Sequence, residues 1–238
     1  MKEMSDKIEY PIILNKYLAL KKICSRKEAD RLLREGKIKV NGKIAEPGMK
    51  VFRTDIVETE IDKKLAYLAY YKPRNIITHS PQGGELSIAD VLSYSPKVAP
   101  LGRLDKASRG LLILSNDGRI TDRLLNPNFF HEKEYEVRVD RELMKPDLQK
   151  LSRGVVLDDG YVTRACKVES IGAYSFRIIL TEGKKRQIRR MCQAIGFTVK
   201  DLKRVRIMNI DLGRLKPGEY REIKGKELEE LLSNLQLK

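Results

Sequence analysis

Apolar positions recur at helical spacing near the start of the chain and at alternating spacing further on. Residues Ile12 to Leu20 carry a short helical pattern, and Ser25-Arg26-Lys27-Glu28 has the form of a capping box, Ser25 accepting from a first-turn amide while Glu28 reaches back. The second helix is expected to run to about Glu35, because Gly36 can take the left-handed conformation that ends a helix. Ile38-Lys39-Val40 then alternates as a strand into Asn41-Gly42, the pair favoured where a type I′ hairpin turn needs two positive φ angles. After Glu60 the charged stretch Ile61 to Lys64 reads as a linker, and Leu65 to Tyr71 as a buried strand. Two domains are expected, residues 1–62 and 63–238. The second shows strand-like stretches at Leu111–Ser115, Tyr135–Val139, Gly154–Leu157, Ala165–Glu169, Phe176–Leu180 and Val205–Leu212, with helical signals at Arg119–Leu125, Arg186–Ala194 and Lys226–Leu235. Many strands, few helices and no βαβ alternation predict an α+β fold: a small helix-rich domain, then one built on a largely antiparallel mixed sheet.

Composition narrows the function. With 48 Lys+Arg against 33 Asp+Glu the net charge is +15, an excess that attracts polyanions. Nucleic acid and an anionic membrane surface are the two candidates. The membrane finds little support, since Met1 to Tyr10 mixes charges of both signs and no apolar run approaches the length of a bilayer span. A soluble, unprocessed, cytoplasmic and monomeric chain is expected. Cys24, Cys166 and Cys192 are odd in number and lack CxxC spacing, and His79 and His131 are the only histidines, so neither a disulfide framework nor a metal centre is indicated.

The charge is unevenly placed. Between Lys16 and Lys43 lie ten Lys/Arg against three acids, among them Lys16, Arg26, Lys27, Arg31, Lys39 and Lys43. A solvated helix face explains polarity here but not the single sign, so these residues are candidate phosphate contacts. The segment resembles the S-four-like RNA-binding domain in Leu14-Asn15-Lys16, Ser25 to Ala29 and Val40-Asn41-Gly42. A second cluster, Lys184 to Arg206, holds nine Lys/Arg and one acid.

Gly102-Arg103-Leu104-Asp105-Lys106-Ala107-Ser108-Arg109-Gly110-Leu111-Leu112 sets a carboxylate between cations in a loop leading to an apolar strand. A strand-held loop suits a catalytic group because the scaffold fixes it while leaving the side chain open. Read alone, Asp105 could equally cap a turn or pair with a neighbouring arginine. The stretch Gly102 to Asn116-Asp117-Gly118 resembles, without a gap, the signature of pseudouridine synthases of the RsuA and RluF group. Lys133-Glu134-Tyr135 and Glu182 to Met191 resemble that group's later motifs in the same order. Ser108 and Cys192 depart from residues common in the group, and Cys192, His131 to Tyr135 and Arg206 to Asn209 point towards the RluF branch.

The resemblance implies an isomerase that detaches uracil at nitrogen and rejoins it through carbon, without cofactor, in structured RNA. Large-subunit (23S) ribosomal RNA is the first expectation and tRNA the second. It implies Asp105 as the catalytic carboxylate, by attack or by assisting glycosidic cleavage, with Arg189 as the guanidinium keeping it charged. A phosphate contact is the plainer role for Arg189. Tyr135 would stack on the flipped uracil, although it also reads as an ordinary half-buried strand tyrosine. Leu180 would pack on the opposite side of the base, Arg103 fill the vacated space, and Arg186, Gln187 and Arg190 bind substrate. Two rivals stand beside this reading: a non-catalytic RNA-binding protein, and an RNA methyltransferase, for which no glycine-rich donor turn is found.

Overall fold

Tyr67–Lys72 forms a strand in which every residue is buried, which only a sheet covered on both faces allows. The computed structural model describes residues 8–21, 23–60 and 64–237. It divides into two compact units, Met1–Lys64 and Leu65–Lys238. Most of the expected linker, residues 61–63, lies outside the described residues.

The first unit contains β1 (Ile12–Ile13), α1 (Leu14–Leu20), α2 (Arg26–Arg34), β2 (Ile38–Val40), β3 (Lys43–Ile44), β4 (Lys50–Val51) and β5 (Val57–Thr59). Helix α1 starts later than its pattern suggests because Ile12 and Ile13 pair with Val51 and Lys50 as a strand. Ser25 caps α2, its Oγ accepting from the Glu28 amide at 3.2 Å, while the Glu28 carboxylate holds Arg31. Asn41 and Gly42 take φ of 53° and 76°, as the hairpin between β2 and β3 demands. Leu14, Leu18, Ala29, Leu32, Leu33 and Ile38 close the core.

The second unit holds β6 (Tyr67–Lys72), α3 (Ile88–Val91), β7 (Ala99–Leu101), β8 (Arg109–Ser115), α4 (Ile120–Leu125), a 3₁₀ turn (Pro127–Phe129), β9 (Lys133–Val139), α5 (Lys145–Arg153), β10 (Lys167–Gly172), β11 (Ser175–Leu180), α6 (Gln187–Ala194), β12 (Val199–Ile207), β13 (Ile210–Asp211), β14 (Tyr220–Glu222) and α7 (Gly225–Asn234). Nine strands form one sheet in the order β10-β11-β9-β12-β8-β6-β14, with β13 on β12 and β7 on β8. Among the described residues β8 and β12 are its one parallel pair, and the other pairings are antiparallel. Alternation sends Leu68, Tyr70, Leu112 and Leu114 to a core shared with Leu151, Ile188 and Met191. Tyr67, Ala69, Tyr71, Leu111 and Ile113 go to a second core with Ile120, Leu124, Leu231 and Leu235. The mixed, mainly antiparallel α+β architecture agrees with the sequence pattern.

Two segments differ from their patterns. Gly154–Leu157 is not a strand: Gly154, at φ 90°, ends α5, and a Cβ there would lie 2.3 Å from the Thr163 carbonyl oxygen. What remains is a single bridge between Val156 and Val162. The run Val205–Leu212 is broken at Met208, φ 52°, so the chain turns back as β13, while β12 begins six residues earlier at Val199. No helix among the described residues is long and apolar enough to cross a membrane.

Candidate active site

The loop between β7 and β8 is pinned on both sides of Asp105. Leu104 donates its amide to Thr78 Oγ1 at 3.1 Å and accepts from the same hydroxyl at 2.8 Å, in a buried position. The Ser108 amide donates to the Asp105 carbonyl at 3.0 Å. Beneath the loop Gly110, φ 110°, lets β8 lie against β12, since a Cβ there would sit 2.2 Å from the Arg204 carbonyl oxygen. The backbone is thus fixed while the Asp105 carboxylate, half-buried in a cleft of about 750 Å³, makes no hydrogen bond or ion pair among the described residues. It neither caps a turn nor pairs with a neighbouring arginine. Arg109 turns instead to Asp201, which with Arg74 it holds down at about 2 against the opposing effect of burial.

Two cations lie near that carboxylate without touching it. Lys72, wholly buried, donates from Nζ to the carbonyls of Pro73 at 2.8 Å and Ser108 at 2.9 Å. Burial pushes its pKa down to about 8, with the charge of Asp105 acting the other way. Arg189 donates to the carbonyls of Val199 and Ala107 at 3.1 and 3.3 Å and to Ser108 Oγ at 3.4 Å, and its Nε is buried without a partner. Burial, then the charge of Arg186, lowers its pKa, and Asp105 opposes both. A direct fork from Arg189 to the carboxylate is therefore not formed. The guanidinium ties α6 to the loop backbone and reaches Asp105 through its field.

The walls come from β9 and β11. Tyr135 and Leu180 are buried and face the cleft. Arg204, opposite Tyr135 in the β12 register, lies 6.0 Å from its ring and donates from Nε to the Leu111 carbonyl at 2.7 Å. Lys133 lies on the same wall, where burial, then the charge of Arg204, pushes its pKa down to about 8. A second acid, Glu182, is 3% exposed and accepts from Tyr161 Oη at 2.5 Å, Gln187 Nε2 at 2.6 Å and the Arg164 amide at 3.1 Å. Gln187 Oε1 accepts from the Lys184 amide at 2.9 Å, so the basic loop 183–186 is braced from below. Arg186 completes that loop at φ 52°. An apolar floor, one unpartnered carboxylate and a cationic rim make a site for an uncharged ring attached to a phosphate backbone.

Of the residues singled out in the sequence, Asp105, Tyr135, Leu180, Arg103, Arg186 and Gln187 all line this cleft. Gln187 has its amide committed to Glu182 and Lys184, so it supports the wall rather than offering free donors. Arg190 does not join them, because Asp158 and Asp159 take its guanidinium. In the first unit Lys16, Arg26, Lys27 and Lys43 are exposed. Arg31 is held by Glu28 and Glu35, and Lys39 by Glu60. Sequence reasoning passed over Lys72, Tyr161 and Arg164, and counted Arg204 among the cations of the 184–206 cluster, whereas it donates to the Leu111 carbonyl. Lys72 left a trace, a cation ending an apolar strand; Tyr161 and Arg164 left none, being brought in by a loop.

The pattern of the RNA pseudouridylate synthases matches residues 66–194, and that of the S4 domain residues 14–57. The chain belongs to the RNA pseudouridylate synthase family, isomerases that convert uridine to pseudouridine in RNA, and carries an S4 domain at its N-terminal end. It is 40% identical over 225 residues to the dual-specificity RNA pseudouridine synthase RluF of Escherichia coli K12, covering 92% of this chain and 77% of that one. With an RNA pseudouridine synthase of Aquifex aeolicus it shares 36% identity over 92% of this chain and 95% of the relative. With the ribosomal large subunit pseudouridine synthase B of Bacillus subtilis the identity is 34%, over 92% and 94%. A crystal structure of a pseudouridylate synthase superposes with a TM-score of 0.70 at 26% identity, over 92% of this chain and 99% of that one.

Proposed function

We propose that this chain isomerises one particular uridine in a folded stem-loop of large-subunit ribosomal RNA, a tRNA being the alternative target, and that Asp105 is its catalytic carboxylate. One observation carries the assignment: an acid on a loop pinned at Leu104 and Ser108, its side-chain oxygens without partners among the described residues, opening into a cleft that fits a base. A carboxylate so placed is free to act on the nucleoside, by attack or by assisting glycosidic cleavage, without first breaking a bond to the protein.

A base within a stem has to be turned out to reach it, at a cost of about a few kcal/mol. Tyr135 would offer a ring to the extruded uracil and Leu180 an apolar surface, and exposed Arg103, which lines the same cleft, would fill the vacated space or hold the flipped phosphate. Arg189 and Lys72 hold positive charge near Asp105. Arg186, with Lys184 and Lys185, tracks the backbone at the rim. Residues 1–62 would grip the RNA at a second point through Lys16, Arg26, Lys27 and Lys43, while residues 63–238 carry out the reaction.

The test is tritium release from uridine-labelled ribosomal RNA, read beside RNA affinity. Asp105→Asn is expected to lower single-turnover rate by about a thousandfold or more with affinity kept. A wild type inactive on every RNA would favour a binding protein without catalysis.

A further inference from the structure

We infer that the exposed rings of Phe129 and Phe130, backed by half-buried His131 beside the cleft, are a stacking shelf for an unpaired nucleotide of the substrate RNA adjoining the flipped uridine. The inference rests on the functional reading above but concerns a surface apart from Asp105 and Tyr135.

The buried phenylalanines of the second unit, Phe176 and Phe197, are 0% and 6% exposed, whereas Phe129 and Phe130 are 37% and 58% exposed. Two adjacent rings left in water do nothing for the core. They are nevertheless held in place. Asn126 Oδ1 accepts from the Asn128 amide at 3.1 Å, and Phe130 sits at φ 56°, ψ 29°, a conformation that side chains other than glycine seldom adopt. Phe129 stacks on His131, with ring centroids 5.8 Å and planes 18° apart.

Each ring also carries a cation. The Arg164 guanidinium lies 4.3 Å from the Phe130 centroid, and that of Arg123 lies 5.5 Å from the Phe129 centroid. Arg164 is anchored by a bond to the Pro127 carbonyl at 3.1 Å and by Glu182 at 3.7 Å. Pro127 and Arg164 themselves line the cleft, so the shelf continues its wall. Every base has a π face and every nucleotide a phosphate. Exposed rings backed by guanidinium groups match that pairing, and their continuity with the cleft through Pro127 and Arg164 favours the RNA over a protein or lipid surface.

The test uses the full chain and a large-subunit ribosomal stem-loop that it binds, with 2-aminopurine placed in turn just before and just after each unpaired uridine. Stacking on a ring quenches this probe. The wild type is expected to quench one flanking probe, and Phe130→Tyr to preserve the effect. Phe130→Asn, an exchange the left-handed conformation tolerates, should abolish it and weaken RNA binding roughly tenfold. An abasic site at the same nucleotide should weaken wild-type binding equally and add nothing to Phe130→Asn. Unchanged quenching and affinity in Phe130→Asn, with unchanged thermal stability, would overturn the shelf. A wild type that quenches but isomerises no uridine would overturn the functional reading and leave the shelf standing.

Discussion

Asp105 and Glu182 line the same cleft, and the structure treats them in opposite ways. Glu182 is almost fully buried and fills its oxygens with Tyr161, Gln187 and the Arg164 amide. Asp105 is half-buried, its backbone fixed by neighbours and its carboxylate left without a partner among the described residues. Asp201 behaves like Glu182, held by Arg109 and Arg74. An acid whose acceptor sites are filled braces structure, because removing it leaves buried donors unsatisfied. An acid with open acceptor sites on a rigid loop adds little to folding and is available for chemistry.

The comparison can be broken most severely at Arg189. Arg189→Ala removes both the bonds to the Asp105 loop and a cation beside it, so the single-turnover rate should fall about a hundredfold or more while RNA affinity changes little. Weak binding with a normal rate would show a phosphate contact instead. Next comes Gly110→Ala, whose Cβ cannot fit against the Arg204 carbonyl; denaturant unfolding should show a loss of about 3 kcal/mol or more.

A matched pair of exchanges sharpens the contrast. Glu182→Gln should cost about 1 to 3 kcal/mol of stability, because an amide group then faces donors that now meet a carboxylate. Asp105→Asn should leave the melting temperature nearly unchanged or raise it. Equal losses from the two would remove the distinction.

The smallest effect is one of pH. The amines of Lys72 and Lys133 are pushed down from 10.5 to about 8 in the folded chain, chiefly by burial. Between pH 8 and about 9 the unfolded chain therefore binds more protons than the folded one at these amines, and stability should rise with pH across that window, until the thiols of Cys166 and Cys192, which burial pushes up to about 11 and 12, offset the rise. Above it the buried Tyr70, whose pKa is raised, acts in the opposite sense. Lys72→Met should flatten the rise in a pH series of denaturation curves.

Much of this was legible in the chain itself. The Ser25 cap, the Asn41-Gly42 turn and the strands around Leu111–Leu114 and Phe176–Leu180 are local features whose spacing alone identifies them. Helix α5 was not, since its short apolar face is little more than Leu148 and Leu151 and its end depends on Gly154 meeting Thr163. The same limit applies in the cleft. Arg189 and Arg190 are neighbours of one type in one motif, yet the first reaches the loop that carries Asp105 and the second goes to Asp158 and Asp159.

Local periodicity, turn chemistry and charge determined the fold class and the basic character of the chain, because each depends on residues close together in sequence, while the carboxylate of Asp105 was singled out by the resemblance of its segment to a family motif. Which cations serve that carboxylate, which acids are satisfied, and which rings remain in water were decided by packing between distant segments. A hydrogen bond or an ion pair is set by where two strands and a helix meet, and no spacing along one of them records it.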